Sequence, residues 1–206
     1  MDTELNKVRR LPQRGRYDRE TIYAILDAAK VCHVGFVEEG RPFVIPTLYA
    51  RAGDELVLHG APASRLMKHI AAGRPLCISV AILDGLVLAK SAFHHSVNYR
   101  SVVLFGRGRP IEAAEEKLEA LRLLTEHLAP GRWEVARPPN AAELRGTALV
   151  AVAIESASAK VRSGPPADAE EDQELPVWAG VLPVYEAMGD PVPAAYCDAA
   201  LAPPKL

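Results

Sequence analysis

The chain has 206 residues, 49% of them apolar and 24% charged, with a net charge of −2. That is enough for one sizeable domain with a real core, and the balanced charge excludes a protein built around nucleic acid or an anionic membrane surface. Three scattered cysteines (Cys32, Cys77, Cys197) form no CxxC pair, which excludes a zinc module and a disulfide framework and predicts a reducing, cytoplasmic setting.

The segment up to Tyr17 is rich in arginine and poor in apolar residues. It reads as an arm, solvated or packed on a partner subunit. Asp18 is placed to cap a short helix that carries Ile22, Ile25, Leu26 and Ala29 at helical spacing. The period then drops to two. Residues 31–37, 43–51 and 55–59 read as strands joined by turns at 38–41 and at Gly53-Asp54, which predicts an antiparallel meander. Pro62 suits a first helical turn, so a short helix is expected over 63–71, closed by Gly73. Strands follow at 76–83, 85–89 and 99–107, and the run Val102 to Phe105 predicts burial on both faces. Residues 112–128 carry the clearest helical pattern, with Leu118, Leu121, Leu124 and Leu128 as its apolar stripe. Residues 148–155 form the last expected strand. About six strands and three or four helices, mostly in hairpin order, predict an α+β or barrel-like β domain and argue against a doubly wound sheet.

The 17 prolines are about 8% of the chain against a usual share near 5%, and eight of them follow Ser163. The acidic stretch after Ser163 therefore reads as an extended strap, with Trp178 and Tyr185 as anchors. The apolar stretch around 82–89 is cut by Asp84 and Gly85, far short of a membrane span, and the charged start of the chain is unlike a signal peptide. Gly106-Arg107-Gly108 leads into a proline turn instead of a helix, so it is no dinucleotide fingerprint. No GxxxxGK[ST], HExxH or GxSxG occurs.

Three clusters could carry chemistry. Ser64 and Arg65, at a strand-to-helix turn after His59-Gly60, combine a hydroxyl and a guanidinium as a phosphate site, with Lys68 one turn on. Residues 91–101 place Ser91, His94, His95, Asn98, Tyr99, Arg100 and Ser101 before a buried strand. Polar groups at the mouth of a core strand need partners, and a ligand can supply them. His94 and His95 would point to opposite faces of a strand, and no acid or cysteine flanks them, so no metal site is expected. Lys160 and Arg162 leave the last expected strand, where they could meet an anion or the acidic tail.

These clusters, in this order, resemble the pyridoxamine 5′-phosphate oxidase-like split-barrel proteins that bind flavin nucleotides, and within them the branch of Nim-type nitroimidazole reductases. The residues that carry the resemblance are Arg41 to Leu48, Leu58-His59-Gly60 with Ser64-Arg65, Asn98 to Gly106, and Ser158 to Lys160, within a span of 17–178. The resemblance implies a six-stranded antiparallel split β-barrel with flanking helices, acting as a homodimer with FMN between subunits. On that pattern Ile45, Pro46 and Thr47 line the ring, Leu58 and His59 flank it, and Ser64, Arg65 and Lys68 hold the phosphate. Asn98, Tyr99, Arg100, Ser101 and Lys160 supply polar contacts, and Trp178 closes the site. His59 becomes the candidate catalytic residue, its imidazole titrating near neutrality. The division that follows is an arm over 1–17, a barrel over 18–162 and a strap over 163–206.

Two departures argue against true pyridoxamine phosphate oxidation. Leu66 stands where those oxidases have a lysine, and the ending Pro203-Pro204-Lys205-Leu206 lacks their Arg-Leu-x-Pro. The expected function is FMN-dependent electron or hydride transfer to a small molecule, without nucleic-acid or membrane partners. The alternative is an FMN or haem carrier, with His94 or His95 as axial ligand.

Overall fold

In the computed structural model the first helix, α1 (Arg19–Ala28), begins where Asp18 accepts a hydrogen bond from the Thr21 amide at 2.7 Å, and it buries Ile22, Ile25 and Leu26. Residues 4–198 and 200–204 are described; residues 1–3, 199, 205 and 206 lie outside them, including the Lys205-Leu206 ending. Three strands follow: β2 (Val31–Glu38), β3 (Arg41–Ala52) and β4 (Glu55–Gly60), after a two-residue β1 (Gly15–Arg16) ahead of α1. The β2–β3 turn puts Glu39 and Gly40 at φ of 50° and 72°. Two consecutive positive φ values suit the right-handed twist of a tight hairpin, and the glycine adopts them without strain. The expected meander is therefore present.

β3 changes partner halfway. Residues 41–48 pair with β2, and 49–52 pair with β4. The chain continues through α2 (Arg65–Ala71), β5 (Leu76–Leu88), β6 (Ser96–Gly106), β7 (Gly108–Pro110), α3 (Ala114–Leu128), α4 (Arg132–Val135), α5 (Ala141–Gly146), β8 (Ala148–Ala153), β9 (Ser156–Arg162) and β10 (Gly180–Pro183). The strand order is β1-β9-β6-β5-β2-β3-β4-β8-β7, with β10 on β5, and every pairing is antiparallel. β6 runs into β7 and β8 into β9 across short corners, which joins the two ends of this path into a split barrel. The two expected strands at 76–83 and 85–89 are one strand, β5, with a register shift between Leu83 and Gly85.

Tyr49, Leu56, Leu58, Ile78, Leu104 and Val152 fill the barrel with no exposed surface. A second core lies outside, where α3 covers β3, β4 and β8 through Ala50, Val57, Leu124, Leu149 and Ala151. This corrects two expectations. The strand buried on both faces is β8, whereas Val103 and Phe105 of β6 are only half-buried. The apolar face of α3 is centred on Ala120 and Leu124, leaving Leu118 and Leu128 exposed. Four strands beyond the expected six (β1, β7, β9, β10) complete the sheet.

The arm packs on its own chain. Tyr17 accepts the Val8 amide at 2.9 Å, Asn6 is buried, and β1 pairs with Lys160 and Ala159 of β9. The tail is tied to β5 through its backbone: β10 pairs with residues 85–88, and the Val184 amide donates to Asp84. Trp178 and Tyr185 are exposed and do not anchor it in this chain. Among the described residues, no helix is long and apolar enough to cross a membrane.

Asp168 is one side chain that fastens the tail, accepting the amides of Lys90 and Ser91 at 2.9 and 3.1 Å. Burial raises its pKa, but the two amides with His94 and Lys90 outweigh that and hold it below the ordinary carboxylate value. A depressed folded pKa contributes stability above the unfolded value of about 3.9, lost as pH falls through the folded value. Residues 163–184 should thus resist limited proteolysis at neutral pH and open only in strong acid. Asp168→Ala, which removes the acceptor oxygen that asparagine would keep, should make this segment more sensitive to protease at neutral pH, and equal protection of variant and parent would refute this account.

Candidate functional site

β4 ends at His59-Gly60 and turns into α2. Ser64 caps that helix, its Oγ accepting from the Met67 amide at 3.2 Å. The helix starts at Arg65, so Pro62 lies in the turn before it and not in its first turn. Arg65 is half exposed. Its Nε meets Glu38 at 2.7 Å and its guanidinium lies 4.2 Å above the Phe43 ring. Lys68 is exposed one turn on, and His59 is half-buried, with a buried Nδ1 that has no hydrogen-bond partner among the described residues. Beside this corner opens an apolar cleft of about 510 Å³, lined by Phe36, Phe43, His69, Arg74, Cys77 and Phe105.

Ile45, Pro46 and Thr47 sit on β3 opposite Val34, His33 and Cys32 of β2. Ile45 leans into the core, Pro46 faces outward and Thr47 is half-buried. Leu58 is wholly buried in the barrel, between Tyr49 of β3 and Val150 of β8, so it is not placed to touch a ligand.

The second group lies at the start of β6. Arg100 holds Asp84 with two nitrogens, at 2.8 and 3.0 Å. Asn98 is buried, donating to the Gly164 carbonyl at 3.1 Å and accepting from Arg162, so it fixes the start of the tail. Tyr99 pairs with Arg162, and Ser101 donates to the Lys160 carbonyl at 3.2 Å. Ser101, Ser158 and Lys160 line a second cleft of about 300 Å³, roofed by residues 5–10 of the arm.

Along the sheet of one chain the two groups lie apart, although Phe105 of β6 lines both clefts. β6 is three strand steps from β3 and β9 is four. At about 4.8 Å a step, that is roughly 14–19 Å. Trp178, 61% exposed, stands apart from both, packed on Gly180 of its own tail.

Sequence reasoning missed Glu38, Phe43, Asp84 and Asp168. Alternation placed Phe43 on a strand, but its stacking on Arg65 needs the β2–β3 hairpin to fold beside α2. No acid flanks His94 in sequence, yet the tail brings Asp168 and Asp172 to it, with one ligand atom of each residue within 4.8 Å of the others. Asp168 is already engaged by two amides there. Burial pushes the Cys32 thiol up to about 12 and also raises Cys77, so neither is a ready thiolate near neutrality.

No curated protein matches this chain. Among solved structures, the flavocytochrome Anf3 from Azotobacter vinelandii is 42% identical with a TM-score of 0.90, over 98% of this chain and 94% of that one. The FAD and haem binding protein from Mycobacterium smegmatis is 37% identical with a TM-score of 0.88, over 93% and 94%. A candidate 5-nitroimidazole antibiotic resistance protein from Bacteroides thetaiotaomicron shares the fold, at 24% identity and a TM-score of 0.59, over 71% and 86%. Residues 18–161 match the pyridoxamine 5′-phosphate oxidase family across both groups of site residues. With that match, the antiparallel split barrel and these relatives together, the chain belongs to the pyridoxamine 5′-phosphate oxidase family of split-barrel proteins.

Proposed function

We propose that this protein is a redox protein that binds FAD and haem, at sites completed by a second copy of the chain. The observation that carries the reading is near-full-length likeness, at 42% and 37% identity, to a flavocytochrome and to a protein that binds FAD and haem. The resemblance of the sequence implied FMN; FAD takes its place here because the flavin named in the second relative is FAD.

The residues present suit a flavin nucleotide. Arg65 and Lys68 supply positive charge for a nucleotide phosphate beside the Ser64 hydroxyl. The outward face of β3 and the apolar cleft beneath Arg65 supply flat, dry surface for a ring. His59 keeps a buried, unpartnered nitrogen at this corner, and we assign it to the reacting edge of the flavin. Bound flavin supplies one- or two-electron transfer, and haem supplies a one-electron iron centre. The chain's part is to hold the phosphate, orient the ring and keep water out.

The second copy is argued from distance and surface. The polar group of β6 and β9 lies three to four strand steps from β3 within one chain. Val31, Val37, Val44 and Leu83 leave apolar surface on the sheet's outer side. A two-fold partner laid on this face would bring the β6–β9 group of one copy toward Arg65 of the other.

The test is the absorption spectrum of the purified protein, with chromatography of the released cofactors. Flavin bands, a Soret band and released FAD are expected. Released FMN would return the flavin assignment to the one the sequence implied. A protein that takes up neither FAD, FMN nor hemin would overturn the proposal.

A further inference from the structure

We propose that His94, Asp168 and Asp172 bind a divalent metal ion of the zinc type, which staples the acidic tail to the turn between β5 and β6. The three side chains come from two segments far apart in sequence. One ligand atom of each lies within 4.8 Å of the others, and none of the three residues is exposed. None of them lines either cleft, so the site does not depend on the flavin-and-haem reading.

Each residue keeps a donor atom that no other group uses. His94 Nδ1 is buried and makes no hydrogen bond; Asp168 Oδ1 beside it is 3.9 Å away, beyond hydrogen-bond distance. A buried polar nitrogen without a partner is costly, and a metal ion is one partner that removes the cost. The Asp168 side chain is only 8% exposed and uses Oδ1 for the Lys90 and Ser91 amides, while Oδ2 takes no hydrogen bond among the described residues. The Asp172 carboxylate has neither a hydrogen bond nor an ion pair among the described residues.

The charge balance points the same way. Residues 168–174 carry Asp168, Glu170, Glu171, Asp172 and Glu174 and no cation. Lys90 reaches this stretch, but its Nζ donates to the Gln173 and Leu175 carbonyls, both at 2.6 Å, and not to a carboxylate. Two carboxylates held this close repel each other unless positive charge stands between them. An imidazole with two carboxylates is a ligand set that zinc takes, and the nitrogen ligand disfavours magnesium and calcium.

The frame for the site is rigid for loops. The Ser91 carbonyl accepts the His94 amide at 3.1 Å and closes one 3-10 turn, and a second such turn, Glu170–Asp172, carries Asp172 round toward Asp168. Ligand atoms on a shared tetrahedral zinc stand roughly 3.5 Å apart. Side-chain rotation of His94 and Asp172 by roughly an ångström therefore closes the group, with Asp168 already fixed by its two amides and the fourth position left to water.

The experiment uses the untagged full chain, stripped with a chelator and titrated with zinc, with cobalt(II) as a spectroscopic probe of the same site. The parent should take up a single zinc per chain and give the visible bands of cobalt held by nitrogen and oxygen. His94→Ala and Asp172→Ala should each weaken zinc binding by more than about 10-fold, while His95→Ala should bind like the parent. Both variants keep the Asp168 clamp, so thermal denaturation should show them folded. Zinc should also protect residues 163–184 of the parent from protease and give no protection in His94→Ala. A folded parent that takes up no zinc at micromolar concentration, or parent-like zinc affinity in both His94→Ala and Asp172→Ala, would overturn the proposal.

Discussion

Replacing Gly108 by alanine should lower the melting temperature by roughly 6–12 °C. A Cβ there would lie 2.2 Å from Cγ2 of Ile70, 3.0 Å from the Ala151 carbonyl and 3.3 Å from Val152. Ile70 is fully buried and Ala151 is backbone in the middle of β8, so neither can retreat cheaply. Overpacking of this kind costs about 1–3 kcal/mol, and the upper end applies where the first contact is far below van der Waals distance. The readiest relief is for α2 to lift away from β7 and β8. That movement would carry Ser64 and Arg65 with it, so the variant should also bind flavin more weakly in proportion to its loss of stability. Gly146→Ala is the matched control. It ends α5, nothing lies within 4 Å of its Cβ position, and it should be neutral or gain up to about 0.5 kcal/mol. Thermal denaturation of both variants decides the matter; equal melting temperatures would mean that the barrel corner yields and that Gly108 is not what seats α2.

The parts of this fold that could be read from sequence are those whose signal is local. The β2–β4 meander announces itself through alternation and two glycine turns, and α1 through its Asp18 cap. β9 hides because its inward residues are Ala157 and Ala159, fully buried yet too small to register as an apolar period. β10 hides because Pro183 sits in it; an edge strand tolerates a proline that a central strand would not. α5 carries a local signal, the Asn140–Glu143 capping box, directly after Pro138-Pro139. The site divides the same way. Ser64-Arg65 and the Asn98–Ser101 tract are contiguous and recognisable. Their partners Glu38, Asp84 and Gly164 arrive from other strands or the tail, so only the folded chain shows that Asn98 and Arg100 are already engaged within it.

Arg65→Ala should weaken flavin nucleotide binding by roughly 10- to 100-fold, while Glu38→Gln should strengthen it by up to about fivefold. The two expectations come from one geometry. Arg65 is held between the Phe43 ring and the Glu38 carboxylate, so in the free chain an acid occupies the position that a phosphate would claim. The Arg65 side chain is half exposed, and an ion pair in that setting contributes about 0–1 kcal/mol. The flavin pyrophosphate, with one negative charge on each phosphate and several acceptor oxygens, offers a stronger set of partners, at about 1.5–3 kcal/mol for a charge-assisted hydrogen bond, so it can displace Glu38 while the stacking on Phe43 keeps the guanidinium in place. Removing the acid lifts only the smaller competition, which limits the gain. If Glu38 acts solely through Arg65, the double variant should bind like Arg65→Ala alone, a non-additivity that titration with FAD would measure directly. Arg65→Lys should fall between, since an ammonium keeps the charge and loses the planar stacking. Affinity of the parent should also fall with added salt, and that dependence should flatten in Arg65→Ala. Weaker binding in Glu38→Gln would show instead that the carboxylate positions Arg65 for the phosphate. Parent-like affinity in Arg65→Ala would move the phosphate site away from this corner, toward the β6–β9 cleft where Lys160 and the arm supply the remaining positive charge.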